Sequence, residues 1–131
     1  MSEVMYLGDH MPKKIMVVDN EPDTVELVKA ILEDGGYDVI KAYSGIECLK
    51  KVDTEKPDLI LLDIMMPDLS GWDTFNRLRK KDQKTKVSFL SVIEISKERL
   101  DRLLQSGLSD YITKPFTADE LLARVDKILS Q

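Results

Sequence analysis

Five short apolar runs punctuate the chain: Ile15 to Val18, Val39 to Ala42, Leu59 to Leu62, Val87 to Leu90, and Tyr111 to Ile112. Most are nearly continuous in apolar residues rather than alternating, the pattern of strands covered on both faces, as in a parallel sheet. Between and after them the apolar positions shift to helical spacing. Val25, Val28, Ile31 and Leu32 form one stripe, stopped by Gly35-Gly36. Ile46, Cys48, Leu49 and Val52 form another, Leu100, Leu103 and Leu104 mark the fourth helix, and Leu121, Leu122, Val125, Ile128 and Leu129 the last. Ser44-Gly-Ile-Glu47 and Thr117-Ala-Asp-Glu120 match the capping box, in which a hydroxyl and an acid satisfy free amides at a helix start; Ser70-Gly-Trp-Asp73 is a looser version. Strict alternation of strand and helix predicts right-handed crossovers and an α/β three-layer sandwich, a five-stranded parallel sheet with helices on both faces. The stripes are then core, not cofactor contacts.

Composition narrows the picture without changing it. At 131 residues, 43% hydrophobic and 33% charged, the chain suits one domain with a core and a solvated surface. A formal net charge of -5 repels nucleic acid backbones and anionic membranes, so direct binding to either is not expected. The stretch Met1 to Met11 has no basic segment followed by an apolar run, hence no secretory signal or anchor, and a cytoplasmic location is expected. Residues 1–12 read as a polar tail, with the domain over 13–131; His10, in the tail, is assigned no chemistry. The lone Cys48 cannot form an internal disulfide and reads as a buried structural thiol.

Ligands of an open parallel sheet bind beyond the carboxyl ends of the strands, so the residues following each apolar run matter most. Asp19, Asn20 and Glu21 follow the first, Asp63 the third, Ser91 the fourth, and Lys114 and Pro115 the fifth. Singly, an acid there is an ordinary turn or cap residue and a lysine an ordinary solvated charge. Together they bring acids, a hydroxyl and an amine to one edge. Crowded carboxylates raise one another's proton affinity, a situation a hard cation relieves; Mg²⁺ suits oxygen ligands and leaves positions open for a phosphate oxygen.

Three segments carry a resemblance: Lys14-Ile-Met-Val-Val-Asp-Asn-Glu-Pro-Asp23, Pro57-Asp-Leu-Ile-Leu-Leu-Asp-Ile-Met-Met-Pro-Asp-Leu-Ser-Gly71, and Gly107-Leu-Ser-Asp-Tyr-Ile-Thr-Lys-Pro-Phe116. In these the chain resembles the receiver domain of two-component response regulators, of the stand-alone, single-domain type, from about Lys13 to Leu129. The resemblance implies the flavodoxin-like strand order 2-1-3-4-5. It implies that Asp63 accepts a phosphoryl group from a sensor histidine kinase, and that Mg²⁺ is held by Asp19, Asn20, Asp63 and the backbone carbonyl of Met65. By the same likeness Ser91 and Lys114 bind phosphoryl oxygens, the peptide bond before Pro115 is cis, and Tyr111 is the switch aromatic, although a plain strand aromatic would also fit. Phosphorylation would draw Ser91 inward, let the Tyr111 ring follow, and alter the face made by the fourth helix, fifth strand and fifth helix, where a downstream protein docks.

Departures from the family pattern set further expectations. Asn20 replaces a second acid, so Mg²⁺ should bind weakly. Val92 stands where a small residue is usual, which narrows the approach to Asp63, while the apolar Met65 and Ile93 cannot orient an attacking water. The protein is then no enzyme but a phosphorylated signalling protein, with at most slow self-phosphorylation and self-dephosphorylation. A receiver-like interaction module independent of phosphorylation is the alternative. A flavin or nucleotide carrier would need a Gly/Ser/Thr-rich loop where Asp19-Asn-Glu-Pro-Asp23 stands, and an aspartyl phosphatase would need an acid at Met65. With the last helix running to the chain end, no output domain is expected and the signal passes by contact or phosphorelay. Lys97, Arg99 and Arg102 give the fourth helix a basic side, either solvated or facing an acidic partner.

Overall fold

A computed structural model describes residues 11–131; His10 and most of the expected tail lie outside the described residues. Strands β1 (Lys14–Val18), β2 (Asp38–Ala42), β3 (Leu59–Leu62), β4 (Lys86–Ser91) and β5 (Asp110–Thr113) alternate with helices α1 (Pro22–Asp34), α2 (Gly45–Glu55), α3 (Gly71–Lys81), α4 (Lys97–Gln105) and α5 (Ala118–Leu129). The strands form one parallel sheet in the order β2-β1-β3-β4-β5, as the resemblance implied.

Successive side chains of a strand point to opposite faces, so a sheet covered on both sides needs apolar residues at every position and divides them between two cores. Met16 and Val18, Ile60 and Leu62, and Val87 and Phe89 meet Cys48 and Val52 of α2 and Phe75 and Leu78 of α3. Their neighbours Ile15, Val17, Leu59, Leu61, Leu90 and Ile112 meet Val25, Val28 and Leu32 of α1 and Leu121, Val125 and Ile128 of α5. Cys48 is fully buried, and burial pushes its thiol up to about 12, so it acts as a small hydrophobe. Edge strand β2 is only partly covered, which is why its apolar run is broken by Lys41.

The helix starts follow the hydroxyl signals. Ser44, Ser70 and Thr117 each accept an amide of the first turn, and Thr117 with Glu120 forms the reciprocal capping box. Ser96 caps α4 in the same way, accepting from the Arg99 amide at 3.1 Å. The stripe expected on α4 is weaker than its leucines suggest. No residue of this helix is fully buried, and Leu104 is 42% exposed, because only Leu100 and Leu103 reach the core. Helix α5 is tied to β5 by Arg124, which donates to both oxygens of Asp110 at 2.7 Å each and to the Tyr111 carbonyl at 3.1 Å.

The start of α3 lies on the end of β3. The Gly71 amide donates to the Ile64 carbonyl at 2.8 Å, and a Cβ at Gly71 would come within 2.3 Å of the Asp63 carbonyl oxygen and 2.7 Å of the Ile64 Cα. Both obstacles are backbone, so they cannot swing aside. Gly71→Ala is therefore predicted to cost roughly 3 kcal/mol, the upper range for overpacking a fixed site. Denaturant unfolding measures it, and a loss below about 1 kcal/mol would show that the loop after β3 yields.

Candidate functional site

The site residues are the next links of ladders already closed by the sheet. The Asp19 amide continues from β1 to the Ala42 carbonyl at 3.1 Å, the Asp63 amide from β3 to the Val18 carbonyl at 2.9 Å, and the Lys114 amide from β5 to the Ser91 carbonyl at 2.9 Å. Strand pairing thus fixes the backbone of three charged residues at one sheet edge. Asp19 and Asp63 are 2% and 6% exposed, and Ser91 is fully buried.

Lys114 reaches back between the acids. Its Nζ donates to Asp19 Oδ2 at 2.7 Å and lies 3.8 Å from Asp63 Oδ2. The other oxygen of Asp19 accepts the Glu21 amide at 2.9 Å, while Asp63 Oδ1 accepts the Ile64 amide at 2.8 Å and the Met65 amide at 3.4 Å. The Lys114–Pro115 peptide bond is cis. The Ile93 amide donates to Ser91 Oγ at 3.3 Å. Tyr111 is 7% exposed with its ring inward, and its hydroxyl donates to the Ile93 carbonyl.

These groups open onto a cavity of about 290 Å³ walled by Asn20, Glu21, Thr24 and Lys114, with Asp63 at its base and Met65 and Val92 beside it. Val92 is 59% and Met65 58% exposed, so the rim beside the acid is apolar. Ile93 does not line this cavity; its side chain packs on the core beside Tyr111, which leaves Met65 and Val92 as the apolar wall. A larger hollow of about 430 Å³ next to it, under Met65, Met66, Pro67 and Trp72, presents no charged group, and the chemistry belongs to the smaller one. Thr24 carries no signal in the sequence. It reaches the cavity because Pro22 starts α1 immediately after the acidic turn and Thr24 falls in its first turn.

The acid cluster is smaller than the sequence suggested. Asp19 and Asp63 come together, Glu21 does not join them, and no group of three or more His, Cys, Asp or Glu residues able to hold a metal ion occurs among the described residues. Two carboxylates, the Asn20 amide on the cavity wall and backbone oxygens remain, an all-oxygen donor set that fits a hard divalent cation but supplies little charge to bind it.

Burial pushes the Asp63 carboxyl above the ordinary aspartate value; Lys114 opposes this, Asp19 reinforces it, and the Met65 amide and Ser91 hydroxyl pull it down without cancelling the rise. The folded protein therefore holds this proton more tightly than the unfolded chain does. Its stabilising contribution is full below the ordinary aspartate value and is lost as pH rises through the raised one. Asp63→Asn should consequently be more stable than the native protein at neutral pH and lose that advantage in acid. Unfolding at a series of pH values checks this; a difference that does not vary with pH would rule out the buried charge as its cause.

The response regulator receiver domain family matches residues 15–126, and the chain belongs to that family. The chain is 46% identical over 121 residues to the alkaline phosphatase synthesis transcriptional regulatory protein PhoP of Bacillus subtilis strain 168, an alignment covering 91% of this chain and 49% of that protein. Among solved structures it resembles the receiver domain of the Francisella response regulator 1452, at 36% identity and a TM-score of 0.81 over 90% of this chain and 97% of that one. It also resembles the Vibrio cholerae chemotaxis protein CheY4, at 28% identity and a TM-score of 0.82 over 91% and 100% of the two chains. The chain spans about half the length of the curated relatives it matches. No helix among the described residues is long and apolar enough to cross a membrane.

Proposed function

We propose that this chain, over residues 13–131, is a phosphoacceptor signalling domain in which Asp63 takes a phosphoryl group from a phosphohistidine of a sensor kinase. The observation that carries this reading is the buried Asp63 at the base of an open cavity, with the Lys114 ammonium held between it and Asp19. An Asp63 oxygen attacks phosphorus in line as the phosphorus–nitrogen bond to imidazole breaks, and the nitrogen keeps that electron pair. Lys114 and the Ser91 hydroxyl then meet the oxygens of the transferred group. Asp19, Asp63, Asn20 and the Met65 carbonyl would hold Mg²⁺. Bound there, the ion would neutralise charge shared by carboxylate and phosphoryl oxygens.

Readout follows from the groups Ser91 touches. Ser91 Oγ accepts the Ile93 amide while the Tyr111 hydroxyl binds the Ile93 carbonyl, so a pull on Ser91 reaches Tyr111 through the backbone of one residue, Ile93. The inward Tyr111 supports its role as the switch aromatic, and the face of α4, β5 and α5 is the surface a downstream protein would read. The protein is a signalling protein with at most slow self-phosphorylation and self-dephosphorylation, since the exposed Met65 and Val92 beside Asp63 offer no group to activate water. The two-carboxylate site favours a second reading, a receiver-like interaction module that does not depend on phosphorylation.

Incubation with a phosphorylated histidine kinase or acetyl phosphate and Mg²⁺, followed by intact-mass measurement, separates the two. The expected result is one added phosphoryl group on the native protein and none on Asp63→Ala; no addition from either donor supports the phosphorylation-independent module. Two variants probe the wall and the metal set. Asn20→Asp should raise Mg²⁺ affinity about tenfold by adding a charged ligand, and unchanged binding in a metal titration would remove the weak-site reading. Met65→Asn should shorten the phosphoryl half-life severalfold where Ile93→Asn, being off the cavity, does so less; equal effects would show that the wall does not control water.

A further inference from the structure

Helix α4 is the least anchored of the covering elements. It buries no residue fully, and among the described residues no salt bridge involves it. Leu100 and Leu103 give it partial cover, and its carboxyl end is closed by the Leu108 amide on the Leu103 carbonyl at 3.0 Å. One contact ties its first turn to a neighbouring helix. The Arg99 guanidinium lies over the ring of Trp72, in the first turn of α3, 4.2 Å from the centroid. A planar, weakly hydrated cation over an indole face is the most favourable form of this interaction.

Trp72 passes the contact inward. Its ring meets Phe89 of β4 edge-on with centroids 4.9 Å apart, and Phe89 meets Tyr111 of β5 edge-on at 5.9 Å. The Tyr111 hydroxyl binds the Ile93 carbonyl, in the segment that leads from β4 into α4. The contacts therefore close a circuit, from the loop before α4 through three aromatic rings in edge-on contact and back to α4 itself at Arg99. Arg99 also sits near enough to Tyr111 for its charge to act on the phenol.

We infer that Arg99 stacked on Trp72 is a latch that holds α4 against α3 and ties the position of α4 to the inward ring of Tyr111. The latch stands on the geometry alone; its link to occupancy of Asp63 rests on the phosphoacceptor reading. Arg99 is exposed, so its variants fold. Hydrogen exchange resolved by segment is compared for the native protein, Arg99→Lys and Arg99→Ala. Loss of one such contact should speed exchange of the α4 amides about fivefold in Arg99→Ala. Arg99→Lys should fall between, with β4 and β5 unchanged. Unaltered protection of α4, or acceleration spread over the whole domain, overturns the latch.

Trp72 is the chain's only tryptophan and its ring touches Phe89, so its emission follows the aromatic chain in Arg99→Ala as in the native protein during titration with beryllium trifluoride, a phosphoryl mimic, at saturating Mg²⁺. Because coupling is reciprocal, Arg99→Ala should need about fivefold more of the mimic at the midpoint; equal midpoints overturn the coupling. A native protein that fails to bind the mimic would count against the phosphoacceptor reading and the coupling together, while hydrogen exchange still decides the latch.

Discussion

Strand pairing holds Asp19 and Asp63 where their carboxylates are almost wholly buried. Each donates its amide to the strand beside it, so neither carboxylate can withdraw without opening a ladder that the two apolar cores hold shut. Two carboxylates confined this way repel and lose hydration, and Lys114, at the end of β5, is the cation that meets both. The carboxyl edge of the sheet is thus a charge balance shared by β1, β3 and β5. It stays incomplete, since Asp63 keeps a carboxyl above the ordinary aspartate value despite Lys114, and a site in that condition gains from any group that brings positive charge or spreads the negative.

The same edge is mechanically joined to the surface. Lys114 and Ser91 are linked backbone to backbone, Ser91 holds the Ile93 amide, and Ile93 holds Tyr111. Helix α4, which follows Ile93, buries little and moves at small cost, whereas β4 and β5 are locked in the sheet. A disturbance at the charge balance is therefore expected to leave through α4 rather than through the strands. Arg99 on Trp72 sets how readily it does so.

Much of this was legible in the amino-acid order because burial and pairing are written in it. Continuous apolar runs are what doubly covered strands require, and the capping hydroxyls at Ser44, Ser70 and Thr117 mark helix starts to the residue. Asp19, Asp63, Ser91 and Lys114 were identifiable because each directly follows or ends a strand. The remainder depends on side-chain direction, which periodicity does not encode. Glu21 follows Asp19 by two positions yet stays out of the acid pair, Ile93 turns to the core while Val92 turns to the cavity, and Thr24 enters the cavity from a helix turn. Arg99 looked like one of three solvated charges on α4, and nothing local announces that Trp72, 27 positions earlier, lies beneath it. Leu104 kept helical spacing but has no opposing element to cover it.

The central claim is that Asp63, held in this charge balance, is the residue that carries the phosphoryl group. Borohydride reduction of the protein after exposure to a phosphorylated kinase or acetyl phosphate with Mg²⁺ turns an acyl phosphate into an alcohol at the residue that bore it, and peptide mass mapping locates the change. The predicted result is homoserine at position 63 alone. Reduction at Asp19, at Asp68 or at no acid would contradict it.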